Sequence, residues 1–335
     1  MYFALDVSSA SIKVAQARKQ GSNFELIAFG EIKNLYNLYG ESQENEIKIA
    51  QEIKNLLKNS GIRSKEVYLS LSENDVFTRV IQMPFLKTEE LETALSFEAE
   101  QYIPVPLDNI YLQYEVIFTP PKGVDMKMEL LLIAAKKQIV DKLIRIVQMI
   151  ELTPLVIETS LISTIRALKN QFNMNSILLD CGNTISTVVI FQNGKIKQIS
   201  SLPTAGQAIT RAIMTELALP EKQAQQYKHI YGLDESQLEG RIARIIKDPI
   251  DQIITHVIKN IRFAKNNYLI DKFDRLVISG GTSLLPNFSS YLVEKLDMEV
   301  SMANPLEDCL NKNLPQQLIS AGPRFAAVFG LATRD

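Results

Sequence analysis

The 335-residue chain is poor in the side chains that build metal centres, with two cysteines, Cys181 and Cys309, and two histidines, His229 and His256. Neither pair has zinc-ligand spacing, which argues against a structural zinc, and two lone thiols suit a reducing cytoplasm. A dense block of Lys or Arg is also missing. The 36 basic residues stand against 38 acidic ones, a formal charge of −2, which argues against nucleic acid as a partner. Long apolar runs are absent too: MELLLIAAKK and KLIRIVQMIEL meet charge well short of the ~20 apolar residues that a bilayer span needs. The opening MYFALDV runs straight into a strand pattern, without the basic region, apolar segment and cleavage site of a secretory signal. No GxxxxGK(S/T) and no GxGxxG occurs, which excludes a Walker-type loop and a dinucleotide fingerprint.

What is present is the composition of an ordinary globular protein, 46% hydrophobic and 22% charged, over a length that suits two domains or one large lobed one. Strand-like segments at 2–7, 11–18 and 24–32, separated by small residues around Ser8 and by Gly21-Ser22-Asn23, read as a three-stranded meander. A helical pattern at 44–59 ending at Gly61, then the strand VYLSLS, completes a β-β-β-α-β order. Residues 176–202, SILLDCGNTISTVVIFQNGKIKQISSL, repeat the opening: an apolar strand, an aspartate, a small polar turn, an alternating strand, an Asn193-Gly194 hairpin signal and a third strand. Aligned on Asp6 and Asp180, DVSSASIKVAQ faces DCGNTISTVVI. Helical patterns at 206–217 and 240–268 and the strand FDRLVIS follow the second copy. The duplication implies two related α/β lobes. Between the copies, 76–152 reads β-α-β-β-α, and is expected to close into an α+β subdomain with its helices on one face of its sheet.

An aspartate at a strand end followed by a tight hairpin of small residues has a chemical use. The hairpin's N–H groups form a concave anion site, and the carboxylate holds a hydrated divalent cation. Two such hairpins facing each other across a cleft would clamp a polyphosphate. VISGGTSLLPNF at 277–288 adds a strand, a Gly280-Gly281 turn and a helix start, which makes room for a flat base or ribose. Taken singly, each element is equally an ordinary turn or helix cap.

LDVSSASIK, LLDCGNTIST and VISGGTSLLP resemble the two phosphate loops and the adenosine motif of the actin-like ATPase superfamily, which includes actin, DnaK-type chaperones, sugar kinases and FtsA. SFEAEQYIPVPLDNIYLQYEV at 96–116 and the ending GPRFAAVFGLATR are similar to one family within it, PilM, the cytoplasmic actin-like component of type IV pilus assembly. The resemblance covers essentially the whole chain and implies an actin-like (ribonuclease H-like) α/β fold of duplicated lobes, with the inserted subdomain found in FtsA. The first lobe is expected from 1–75, 153–172 and 315–335, the insert from 76–152, and the second lobe from 173–314 with a helical part at 203–270.

The resemblance further implies ATP and Mg2+ as ligands. Asp6 and Asp180 would hold the metal through water, and Ser8, Ser9, Ala10, Ser11, Gly182, Asn183 and Thr184 would surround the phosphates. Lys13 would reach them as a point charge, and Gly280, Gly281 and Thr282 would lie against the nucleoside. Ser8, Asn183 and Thr282 depart from the glycines or smaller residues usual there. Glu158 corresponds to the residue that positions attacking water in active members; a first-turn glutamate favoured by the helix dipole is the alternative. His229 and His256 are expected to face solvent or pack.

For function, the resemblance implies a nucleotide-binding scaffold on the cytoplasmic face of the inner membrane. It would dock the cytoplasmic N-terminal tail of PilN in a groove between first lobe and insert, with pilus motor ATPases such as PilB or PilT as further partners, and would be at most a slow ATPase. A small-molecule kinase is the enzymatic alternative, but no carboxylate motif for its base is evident. A self-associating, FtsA-like membrane tether is the third; it calls for a terminal amphipathic helix, whereas the sequence ends at Leu331-Ala332-Thr333-Arg334-Asp335. Recruitment through a membrane protein is therefore expected, without direct insertion.

Overall fold

The computed structural model describes every residue except 37, 39, 41, 87, 104 and 122–126. The chain opens with β1 (Phe3–Val7), β2 (Ser11–Gln20), β3 (Asn23–Lys33), α1 (Gln43–Asn59) and β4 (Glu66–Leu71). The insert supplies β5 (Val76–Met83), α2 (Thr88–Tyr102), β6 (Ile110–Phe118) and β7 (Met128–Lys136), and α3 (Lys137–Gln148), β8 (Thr153–Thr159) and α4 (Ser160–Ala167) return to the first lobe. The second lobe contains β9 (Ser176–Cys181), β10 (Ser186–Gln192), β11 (Lys195–Leu202), α5 (Gly206–Leu217), α6 (Glu221–Tyr231), α7 (Arg241–Tyr268), β12 (Arg275–Ser279), α8 (Phe288–Leu296) and β13 (Val300–Met302). Two short helices, α9 (Gln316–Ala321) and α10 (Ala326–Ala332), end the chain.

The lobes repeat one sheet plan. Strand orders are β3-β2-β1-β4-β8 and β11-β10-β9-β12-β13, in each case an antiparallel meander joined to two parallel strands. The central strand β1 is apolar at every position but Asp6 because both of its faces are covered. Phe3, Leu5 and Val7 meet α1 and α3 in one core cluster, while Ala4 and Ala15 lie in a second cluster with Val328, Phe329 and Leu331 of α10. Small residues let helices come close on that side. At Gly330 of α10 an added Cβ would stand 1.7 Å from the Ser163 carbonyl oxygen of α4, so any side chain there would drive the two helices apart.

One expectation for the insert is corrected. Its sheet, in the order β5-β7-β6, carries a single helix: α2 packs Leu91, Leu95 and Ala99 on Ile81, Leu130 and Leu132. The second expected helix, α3, packs its Ile139/Leu143/Ile146/Val147 stripe into the first lobe's core with Ile49, Ile53 and Leu56 of α1, a cluster that the insert's sheet reaches through Val76, Ile133 and Ala135. A strongly amphipathic helix goes where it buries the most apolar surface, and the lobe's sheet offers more than three strands already covered by α2.

The insert touches both lobes. Glu129 of β7 accepts two hydrogen bonds from Lys197 Nζ of β11, at 2.9 and 2.8 Å, at the edge of the second sheet. No helix among the described residues is long and apolar enough to cross a membrane.

Candidate functional site

The two aspartate hairpins have the same geometry down to single hydrogen bonds. Asp6 lies opposite Lys13 across β1 and β2, and Asp180 opposite Thr187 across β9 and β10. Ser8 N–H donates to the Ser11 carbonyl at 3.0 Å, and Gly182 N–H to the Ile185 carbonyl at 3.0 Å. Glycine is therefore dispensable at Ser8, whose hydroxyl also donates to the Ser11 carbonyl, at 2.9 Å. The tips meet across the cleft: Asn183 Nδ2 donates to Ser9 Oγ at 3.1 Å, and Asn74 Nδ2 donates to the Thr184 hydroxyl.

The Gly-Gly turn closes over the second hairpin. Gly280 has φ +82°, and a Cβ there would fall 2.3 Å from the Cys181 carbonyl oxygen and 3.1 Å from Asp180 Oδ1; only glycine fits both the conformation and the space. Gly281 has open space beside it. Thr282 is buried and donates from Oγ1 to the Gly182 carbonyl at 2.7 Å, so it fastens the turn to the second hairpin. Beside it, Gly206 N–H donates to the same carbonyl at 3.2 Å. Lys228 reaches Gly206 O at 3.0 Å and Thr210 Oγ1 at 2.9 Å. Burial among neutral acceptors lowers the Lys228 ammonium to about 8, against a small upward pull from Glu221.

The electrostatics suit a bound cation. Lys13 Nζ stands 3.4 Å from Asp6 Oδ2, and the Ser70 hydroxyl donates to Asp6 Oδ1. Burial pushes Asp180 up to about 6; a hydrogen bond from Ser279 resists this, the Asp6 charge adds to it and Lys13 opposes it. Glu73, from the loop after β4, is a third buried carboxylate that feels Asp180. The carboxyls of Asp6, Asp180 and Glu73 gather around Lys13, and the negative charge that they carry when ionised is what a divalent ion would offset. Asp6 and Asp180, one from each hairpin, are the residues that could hold such an ion.

The family description "Type IV pilus assembly protein PilM" matches residues 4–335. The chain belongs to the PilM family. Among solved structures, the "PilM-PilN type IV pilus biogenesis complex" superimposes with a TM-score of 0.83 at 24% identity, covering 100% of this chain and 99% of that one. MreB 5 of Spiroplasma citri bound to AMPPNP aligns with a TM-score of 0.54 at 11% identity, over 98% of this chain and 94% of that one. The cell division protein FtsA of Bacillus subtilis (strain 168) is 22% identical over 91% of this chain and 79% of its own length. The fold is thus the actin-like α/β fold implied by the sequence.

Glu158 does not stand where a first-turn glutamate would. In this PilM-family chain it lies in β8, two positions before α4, with all its acceptor capacity taken. Ser163 Oγ and Arg166 Nη1 donate to Oε1 at 2.6 Å each, Arg166 Nη2 donates to Oε2 at 2.6 Å, and Arg334 Nη1 also donates to Oε2. The bidentate guanidinium pair lies in the wall of a groove of about 840 Å³ between the first lobe and the insert. Leu71, Ile157 and Ile162 line it from the lobe, and Tyr111, Tyr114 and Ile133 from the insert. The two strands along it, β6 and β8, are both sheet edges.

Ser70, Glu73, Asn74, Gly206 and Lys228 join the cleft without having been singled out in the sequence. Glu73 and Asn74 sit in SLSENDVF, where a turn pattern gave the only local signal. Lys228 lies on α6, far from both hairpins in sequence. His229 is exposed on α6, and His256, half-buried, lies 3.2 Å from the Ser200 carbonyl; the first faces solvent and the second packs.

Proposed function

We propose that this PilM-family protein is a nucleotide-loaded scaffold of type IV pilus assembly. It binds Mg-ATP between its lobes and holds the extended cytoplasmic N-terminal tail of a PilN-type membrane protein in the groove between first lobe and insert. The observation that carries the nucleotide half is the pair of matching hairpins joined tip to tip by Asn183 and Ser9. Their N–H groups, with Lys13, would take the phosphates, and the glycine turn at 280–281 would take the nucleoside. Asp6 and Asp180 would position the hydrated magnesium, whose charge screens the phosphates. MreB 5 bound to AMPPNP shares the fold, which supports the same ligand class here.

The partner half is supported by the groove and by the PilM-PilN complex among the structural neighbours. Its apolar lining residues and two sheet-edge strands suit an extended peptide held by main-chain hydrogen bonds with a few side chains in pockets. Ordering a free tail limits the affinity to a moderate value. Anchored in this way, the protein would stay at the inner-membrane surface through its partner; motors such as PilB or PilT would then be reached through the assembled complex.

Calorimetric titration of ATP with and without magnesium tests the first half. Asp180→Asn is expected to abolish the magnesium-dependent gain in affinity, and an unchanged gain would remove the site. A fluorescent tail peptide titrated onto the intact protein tests the second. Saturable binding lost on Ile157→Arg supports the groove, and absence of binding with and without nucleotide rejects it.

A further inference from the structure

We infer that Glu73, and not Glu158, orients the water that attacks a bound nucleoside triphosphate. This rests on the nucleotide assignment above. Glu158 has two arginines and a serine on its two oxygens and no lone pair left for a substrate water. Glu73 is the reverse. It is 7% exposed, and Thr78 Oγ1 donates to Oε2 at 3.1 Å, yet no donor meets Oε1 at hydrogen-bond geometry, the Leu161 N–H and Thr159 standing only near the carboxyl. A buried carboxylate oxygen without a donor is costly, which marks a place for a water or another polar guest.

Position supports the assignment. Glu73 follows β4, the strand beside β1 and its Asp6, and the next residue, Asn74, bridges to Thr184 of the opposite hairpin. The Glu73 loop is thus stitched to the second phosphate loop. Burial, with the Asp180 charge adding to it, raises the Glu73 carboxyl to about 7, while Thr78, the Leu161 N–H and Thr159 draw it down.

In the reaction, the water oxygen bonds to the γ-phosphorus as the bond from that phosphorus to the β,γ-bridging oxygen breaks. The electron pair leaves with the nucleoside diphosphate, and a water proton ends on the released phosphate. Glu73 Oε1 accepts a hydrogen bond from the attacking water and fixes its approach. A single acceptor that orients the water fits slow turnover.

The full-length protein is tested with Glu73→Gln, Glu73→Ala and Thr78→Val, the last leaving the carboxylate but freeing its orientation. ADP and AMPPNP affinities are expected to stay within about two-fold of wild type, while the single-turnover rate per bound ATP falls about ten-fold or more in both Glu73 variants and less in Thr78→Val. Binding of ADP with aluminium fluoride, which mimics the transferring phosphoryl group, should weaken in step with the rate, an effect that a merely structural role would not produce. Unchanged turnover in Glu73→Gln overturns the proposal. So does nucleotide binding by wild type without detectable turnover, which leaves the binding assignment intact. Failure of wild type to bind any nucleotide rejects the binding assignment and this inference together. Should both Glu73 variants unfold, the Thr78→Val rate alone decides, since no loss there contradicts the assignment.

Discussion

Asn183 and Ser9, 174 positions apart in sequence, hold the tips of two equivalent hairpins together through one hydrogen bond of 3.1 Å. The lobes are therefore latched on the ligand side of the cleft, with Asn74 and Thr184 as a second latch. Each exchanges solvent bonds for a protein bond and is worth about 1 kcal/mol, enough to bias a hinge but not to lock it. The double variant Asn74→Ala/Asn183→Ala should show a larger radius of gyration in solution scattering without ATP, and recover the wild-type value when ATP is added. Identical scattering without ligand would show that the latches do not set the lobe angle.

The glycine turn gives a paired test. Gly280→Ala puts a methyl group 2.3 Å from a backbone oxygen at a positive φ, and is expected to displace the turn, cost about 2 kcal/mol of stability and weaken nucleotide binding. Gly281→Ala meets open space and should leave folding intact. Thermal unfolding and calorimetry on both variants check this; equal behaviour of the two would contradict the geometry.

Lys228 trades stability for an available charge. Burial brings its ammonium down to about 8 in the folded chain against 10.5 for an ordinary lysine, so between those values the unfolded chain binds more protons. Stability due to this group rises with pH from about 8 to 10.5 and carries a fixed penalty below 8. Lys228→Met removes that penalty, about 3 kcal/mol for a shift of this size, which exceeds the net worth of the two hydrogen bonds lost, about 1 kcal/mol each. Its melting temperature should exceed that of wild type at pH 7, and the gap should narrow toward pH 10. All other titrating groups are common to both proteins and cancel in the difference. ATP affinity should fall in the variant, because the cation beside Gly206 and Thr210 is gone.

Arg166 is predicted to matter for folding and groove shape, not for nucleotide. Arg166→Met leaves the Glu158 carboxylate, 7% exposed as a side chain, with one arginine in place of two, and should cost about 3 kcal/mol. Chemical denaturation measures this. ATP affinity should be unchanged within error; a large loss would mean that Glu158 belongs to the cleft after all.

Much of the cleft was legible because its chemistry is local. DVSS and DCGN each fix a hairpin within a few residues, and the matching Asp6–Lys13 and Asp180–Thr187 registers follow from the turn itself. The duplication made the sheet order predictable, since two meanders with the same pattern bury the same faces. Glu158 was harder to place: its backbone lies in the strand beside β4, but its side chain is captured by Arg166 and by Arg334 near the chain end, a partner that no sequence window contains.

The sequence by itself determined the two lobes, the hairpins and the glycine turn, because periodicity, small residues and a strand-end carboxylate act over a few residues. Only the tertiary structure decided the rest. It sent α3 to the first lobe's core, where more apolar surface was available to cover than on the insert's sheet. It also brought Glu73, Asn74 and Lys228 to the cleft from separate elements, and turned two sheet edges toward a common groove. Those outcomes depend on which surfaces compete for burial and which charges find partners, and both are settled between elements distant in the chain.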